Sequence, residues 1–226
     1  MCHESCFNFI SGYMFPMDVG STLVGDKVTG TATSPLVLHP GITNQTGHSM
    51  SFDGTTAVEF ANRHDACFSN LERCTNGITI AAWLKVGTLA STAGWFYVSA
   101  GGQTSAAHGW AWLQKAGQFQ FAARTTTTVW PHTKLTLPFD TWTHVTTSWH
   151  SQEGVKVYVN FKLVKTTSPT PLASPNNKYN LTIAAAYNIG QNILIKFGNF
   201  TIDELKILQK SVTTNMIKEL QLATIS

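Results

Sequence analysis

The run Trp142-Thr143-His144-Val145-Thr146-Thr147-Ser148-Trp149 alternates large with small or polar side chains from end to end. After a turn-like Ser151-Gln152-Glu153-Gly154, the run Val155-Lys156-Val157-Tyr158-Val159-Asn160 alternates again. An extended chain turns successive side chains to opposite faces, so this pattern predicts two half-buried antiparallel strands joined as a hairpin. The same period recurs upstream in Ile78–Val86 and downstream in Asn199–Leu208. Only 12% of residues are charged, which argues against a long helical bundle, whose outer faces would want Glu, Lys and Arg. The chain is therefore restricted to sheets.

Further strands are expected at hairpin spacing. Tyr13–Met17 should lie at an edge, because Pro16 cannot donate to a ladder. Leu36–Leu38 follows a Gly/Asp/Thr-rich meander, and His48–Phe52 pairs with Ala57–Phe60 across an Asp53-Gly54 turn. Trp95–Ala100, Gly109–Gln114, Gln118–Arg124, Lys134–Leu137 and Leu181–Tyr187 complete the set. Ser211-Val212-Thr213-Thr214 can cap a short closing helix, Asn215–Leu222. The expected class is all-β: a two-sheet antiparallel jelly-roll sandwich with a short C-terminal helix. One domain is expected over residues 1–226, with its core from about residue 13 to 221.

Composition narrows the function. Only 12% of the 226 residues are charged and the net charge is +3, with no run of Lys or Arg. Nucleic acid and anionic bilayers are thus not expected partners. No segment approaches the roughly 18 apolar residues of a membrane span. No leader-like pattern opens the chain, so a mature fragment with an added Met1 is expected. Four cysteines, Cys2, Cys6, Cys67 and Cys74, permit three pairings, and proximity favours Cys67 with Cys74 and Cys2 with Cys6. Three sequons for N-glycosylation stand at Asn44, Asn180 and Asn199. Paired cysteines with sequons point to a secreted or cell-surface ectodomain and a glycoprotein.

Several segments resemble the laminin G-like (pentraxin-like) domains of the concanavalin A-like superfamily. Tyr13–Asp18 and Met50-Ser51-Phe52-Asp53-Gly54 resemble its opening strand and its apolar-x-Phe-Asp-Gly turn. Thr79-Ile80-Ala81-Ala82-Trp83-Leu84-Lys85 resembles its Thr-Ile-Ser-Phe-Trp-Leu-Lys strand. Trp142-Thr143-His144-Val145 followed by Val157-Tyr158-Val159-Asn160 resembles its Trp-x-His-Val…Tyr-Val-Asn-Gly hairpin, with Phe161 where glycine is expected. Ile202–Ile207 resembles its closing strand. The resemblance implies a recognition or adhesion module binding an extracellular protein or glycan. The alternative it leaves open is a lectin or glycan-active protein.

The resemblance also brings glycanases, which need two carboxyl groups about 5–5.5 Å apart when retaining. The superfamily's glucanases supply them from a Glu-x-Asp-x-x-Glu strand, absent here. Adjacent Asp203 and Glu204 should point to opposite faces, so no catalytic residue and no enzyme is expected. The histidines lack metal spacing, and His144 is expected to pack with a satisfied hydrogen bond. Calcium is the ion the resemblance implies, at Asp53 and Asp203 with Asp26 as a third ligand; the other reading makes Asp53 a turn residue and Asp203 a cap. Trp83, Trp142 and Trp149 are expected in the inter-sheet core. Trp110, Trp112 and Trp130 are the candidate ligand-binding platform, and core packing of Trp110 and Trp112 is the alternative.

Overall fold

The computed structural model describes residues 12–15, 22–25, 28–42, 48–60, 67, 71–87, 94–100, 109–123, 133–169, 180–188, 191 and 193–225. In chain order the strands are β1 (Gly12–Phe15), β2 (Thr22–Gly25), β3 (Val28–Ala32), β4 (Val37–His39), β5 (Ser49–Asp53), β6 (Val58–Phe60), β7 (Ile78–Val86), β8 (Trp95–Ala100) and β9 (Trp110–Lys115). They continue as β10 (Gln118–Ala123), β11 (Thr133–Leu135), β12 (Thr143–His150), β13 (Gly154–Val159), β14 (Lys162–Thr166), β15 (Leu181–Ile183), β16 (Ala186–Asn188), β17 (Ile193–Ile195) and β18 (Asn199–Leu208). Helix α1 (Thr214–Ile225) closes the chain.

One sheet runs β14-β13-β12-β7-β18-β5-β4, with β1 also paired to β18; the other runs β11-β10-β9-β8-β15-β6-β3-β2. The all-β sandwich is as expected, but the expected hairpin of His48–Phe52 with Ala57–Phe60 does not form. Strand β5 pairs with β4 and β18 in one sheet and β6 with β3 and β15 in the other, so the Asp53-Gly54 turn carries the chain from sheet to sheet. Strands β5 and β1 share one edge of β18 end to end, at residues 199–202 and 205–208. Alternation sends Ile78, Ile80, Ala82, Leu84 and Val86 of β7 inward, with Val145 and Trp149 of β12. They meet Trp95, Tyr97, Trp110, Trp112, Phe119 and Phe121 of the opposite sheet in one core. Phe200 lies parallel to Trp95 at 5.4 Å between ring centres, and Trp112 Nε1 donates across the sandwich to Thr147 Oγ1 at 2.7 Å. Aromatic side chains bury 150–250 Å² each, so this wedge dominates the packing energy.

Two departures from simple alternation change which side chains face outward. In β18 the register shifts between Asp203 and Lys206, with Glu204 at φ 53°. The extra residue changes the inward parity from Phe200 and Ile202 to Leu205 and Ile207. Outward therefore point Thr201 and Asp203, then Lys206 and Leu208. The expected strand Leu181–Tyr187 breaks at Ala184, φ 66°. Its first part, β15, stays in the sheet, while β16 leaves it to pair with β17. The β2–β3 hairpin, read only as a meander from the sequence, pairs through Thr22 with Thr31.

The closing helix runs Thr214–Ile225, longer than expected, with Met216 N donating to Thr213 Oγ1. Its Ile217 and Leu220 join Val212 and cover Leu208, Ala81 and Tyr158 on the outer face of the β7 sheet. Cys67 and Cys74 form a disulfide with their Cα atoms 4.9 Å apart. Cys2 and Cys6 lie outside the described residues.

Candidate functional site

The helix closes one end of that outer face and leaves the other open. At the open end Lys85 of β7 pairs with Thr201 of β18, and Thr201 with Ser51 of β5. Thr143 pairs with Leu84, which puts Trp142 beside Lys85. Trp142, Lys85 and Thr201 thus form a row across three strands. With the segment 39–42 they line a cavity of about 380 Å³ open to solvent.

The 39–42 wall is held from beneath. Ser49 Oγ donates to the carbonyls of His39 and Pro40, 3.1 Å each. Ile42 N donates to Asp203 Oδ2 at 3.0 Å. A Cβ on Gly41 would stand 2.6 Å from that carboxylate oxygen, so only glycine lets the wall lie this close. Burial pushes the Asp203 carboxyl up to about 6, against the opposing pull of the Ile42 amide. At the mouth, Lys85 Nζ meets Asp140 Oδ1 at 3.1 Å, with both side chains substantially exposed. Such an exposed pair adds little stability. It does present a donor and an acceptor together.

The next row, His144, Trp83 and Asp203, runs in register behind the cavity. His144 stacks on Phe161 at 4.1 Å and meets Trp83 edge-on at 5.2 Å. Phe161 follows Asn160 in a turn where both have positive φ, 65° and 46°. A bulky residue there is strained. The departure from glycine buries an imidazole: His144 is 3% exposed, and burial, then Lys206, lowers its pKa to about 3. Its Nδ1 lies 3.4 Å from Thr146 Oγ1. Lys206, buried on the same face, pairs with Glu204.

These positions correct several expectations. Trp110 and Trp112 are fully buried in the inter-sheet core, as the core-packing reading has it, and form no platform; they share the inward parity of β9. Conversely Trp83 and Trp142, expected inside, stand partly buried on the outer face, because the inward parity of β7 belongs to Leu84 and its neighbours. Trp149 is inside as expected. Glu204 does not point away from Asp203's face, since the bulge returns its carboxylate to Lys206.

The two calcium candidates are not brought together. Asp53 opposes Asn199, four residues along β18 from Asp203, or about 13 Å of strand. The Asp53 carboxylate accepts from Thr55 Oγ1, Thr55 N and Thr56 N, and the Thr55 hydroxyl foremost lowers its pKa. Asp203 is spent on Ile42. These donors do not fit one shared calcium ion, and among the described residues no three His, Cys, Asp or Glu cluster as metal ligands. Asn180 Nδ2 donates to Glu59 at 2.7 Å, whereas Asn199 is exposed. Asp26, Asn44 and Trp130 lie outside the described residues. Sequence reasoning missed Lys85, Thr201 and His39; the signal that could have found them was their shared outward parity.

A family model described as the concanavalin A-like lectin/glucanases superfamily, of laminin G type, matches residues 52–218. Among curated proteins none matches the chain. Similar solved structures include one from work on cell uptake of botulinum neurotoxin type C through two ganglioside molecules. It is 14% identical with TM-score 0.70, over 93% of this chain and 50% of that one. The binding domain of botulinum neurotoxin DC in complex with SialylT is 13% identical, TM-score 0.70, over 96% and 52%. The same domain with rat synaptotagmin II is 14% identical, TM-score 0.68, over 92% and 50%. At these identities the likeness is one of fold, and this chain spans about half the length of each.

Proposed function

The chain belongs to the laminin G-like branch of the concanavalin A-like lectin/glucanases superfamily, and on that premise we propose that it is a non-catalytic recognition module. It acts outside the cell, as part of an adhesion or receptor protein, and binds a glycan through the cavity on the outer face of the β7 sheet. The observation that carries this reading is the row Trp142–Lys85–Thr201 beneath the 39–42 wall. The indole of Trp142, partly buried and lining the cavity, offers a flat apolar face to the C–H side of a sugar ring. Lys85, Asp140 and the Thr201 hydroxyl supply donors and acceptors for ring hydroxyls at the opposite side. About 380 Å³ suits one or two sugar rings rather than a folded protein.

The disulfide and the family support the extracellular setting. The neighbours' ganglioside, SialylT and synaptotagmin partners support glycan and protein as ligand classes. Those partners belong to chains about twice as long. The test is a glycan array probed with wild type and Trp142→Ala, followed by an assay for released reducing sugar. Binding that is lost in the variant, with no release, is the expected result. Binding untouched by Trp142→Ala removes the cavity from the reading; no glycan binding at all turns it toward a protein partner.

A further inference from the structure

The sequon Asn199-Phe200-Thr201 opens β18, with Phe200 buried in the core. Asn199 and Thr201 therefore share the outer face, about 7 Å apart along the strand. Thr201 lines the cavity. Asn199 is exposed, opposite exposed Asp53 on one side. On the other side stands Gly87, where even a Cβ would come within 3.0 Å of Asn199 Oδ1. The missing side chain leaves the amide an open path over the face. The sequon at Asn180 is built differently. Its amide is tied to Glu59, and its Thr182 is fully buried, donating to the Ala185 carbonyl at 2.7 Å.

We infer that Asn199 carries an N-linked glycan whose first sugars lie across the mouth of the cavity, competing there with a partner's glycan. The competition rests on the sugar-binding reading of the cavity; the placement of the glycan does not. The modification is a group transfer. Asn199 Nδ2 gives up one proton and bonds to the anomeric carbon of an oligosaccharide, displacing it from a lipid pyrophosphate donor, which leaves as the free lipid pyrophosphate. A tethered sugar acts at an effective concentration on the order of millimolar, so it competes with any partner sugar that binds no more tightly than that.

The test compares the full chain, secreted from animal cells, with Asn199→Gln, which leaves every residue lining the cavity in place. Intact mass and peptide mapping should find one glycan on Asn199 and none in the variant. Acylation of Lys85 by an amine-reactive reagent, followed by mass spectrometry, should be severalfold faster in Asn199→Gln. Binding on the glycan array should rise severalfold, as for removal of a tethered competitor. A bare Asn199, or equal Lys85 reactivity in the two proteins, overturns the inference. Faster Lys85 acylation with no glycan bound by either protein supports the placement and sinks the sugar-binding reading instead.

Discussion

Trp112 and Trp142 carry the same side chain into opposite situations. Trp112 is fully buried between the sheets, with its indole N–H satisfied by Thr147 of the facing sheet. Trp142 sits partly buried at the entry of β12, at the end of the outer face that α1 leaves open, and walls a cavity. Size and hydrophobicity are identical, so neither decides the role. Parity does: on a sheet packed on one face, a residue is inside or outside by its place in the alternation. Neighbouring polar groups then tell what an outward tryptophan is for. Beside Trp142 stand Lys85 and Thr201; around Trp112 stand Phe119 at 5.3 Å and other core rings.

The largest contrast should be in stability. Trp112→Ala leaves a large void and an unpaired Thr147 hydroxyl, and should cost about 3–5 kcal/mol by urea denaturation. Trp142→Ala should cost less than about 1 kcal/mol, like other partly exposed positions. Equal losses would collapse the distinction between wedge and wall.

The second contrast is between His144 and Asp203, two titrating groups in one row. His144 has its pKa held at about 3 when folded, against 6.5 ordinarily. The unfolded chain then binds the proton first, so stability falls as pH drops from about 6.5 toward 3. Asp203 works the other way. Its folded pKa of about 6, against 3.8, means the folded state takes up the proton first, and stability rises as pH drops from about 6 to 4. The larger shift should win only narrowly, with a net loss under about 1 kcal/mol between pH 6.5 and 4. His144→Gln should level or reverse that slope in denaturation curves taken across the range. A slope that survives the substitution would remove His144 as its source.

The smallest expected effect belongs to Phe161. Phe161→Gly relieves a left-handed backbone worth about 1–2 kcal/mol and gives up ring contacts of similar size, so stability should move by under about 1 kcal/mol. Its signature lies elsewhere. With the ring gone from above His144, the imidazole pKa should climb toward 6.5 in an NMR titration. An unchanged titration would mean that Phe161 does not shield His144.

Much of the fold was legible because its signals are local. Ile78–Val86, the hairpin of β12 and β13 and the capped terminal helix all announce themselves within short windows, whereas Asp53-Gly54 read as a hairpin turn and in fact joins strands of different sheets. The bulge at Glu204 was not legible, since Asp203-Glu204-Leu205 reads as uninterrupted strand and the shift exists only against the register of β7. The break at Ala184 was hidden for the same reason. The site was legible only in part. Asn199 was visible as a sequon, but its closeness to the cavity depends on β18 lying beside β7 and β5. Lys85 and Thr201 are more than a hundred residues apart, and only their pairing makes them neighbours.

From the amino-acid sequence alone came most of the strands, the hairpin of β12 and β13, the sandwich class and the family, because alternation and turn chemistry act between near neighbours. Which tryptophans are swallowed and which stay out, where the helix lies, and which residues line the cavity were decided only in three dimensions. Each depends on which face of a strand meets another sheet, and that is a property of distant partners rather than of any segment by itself.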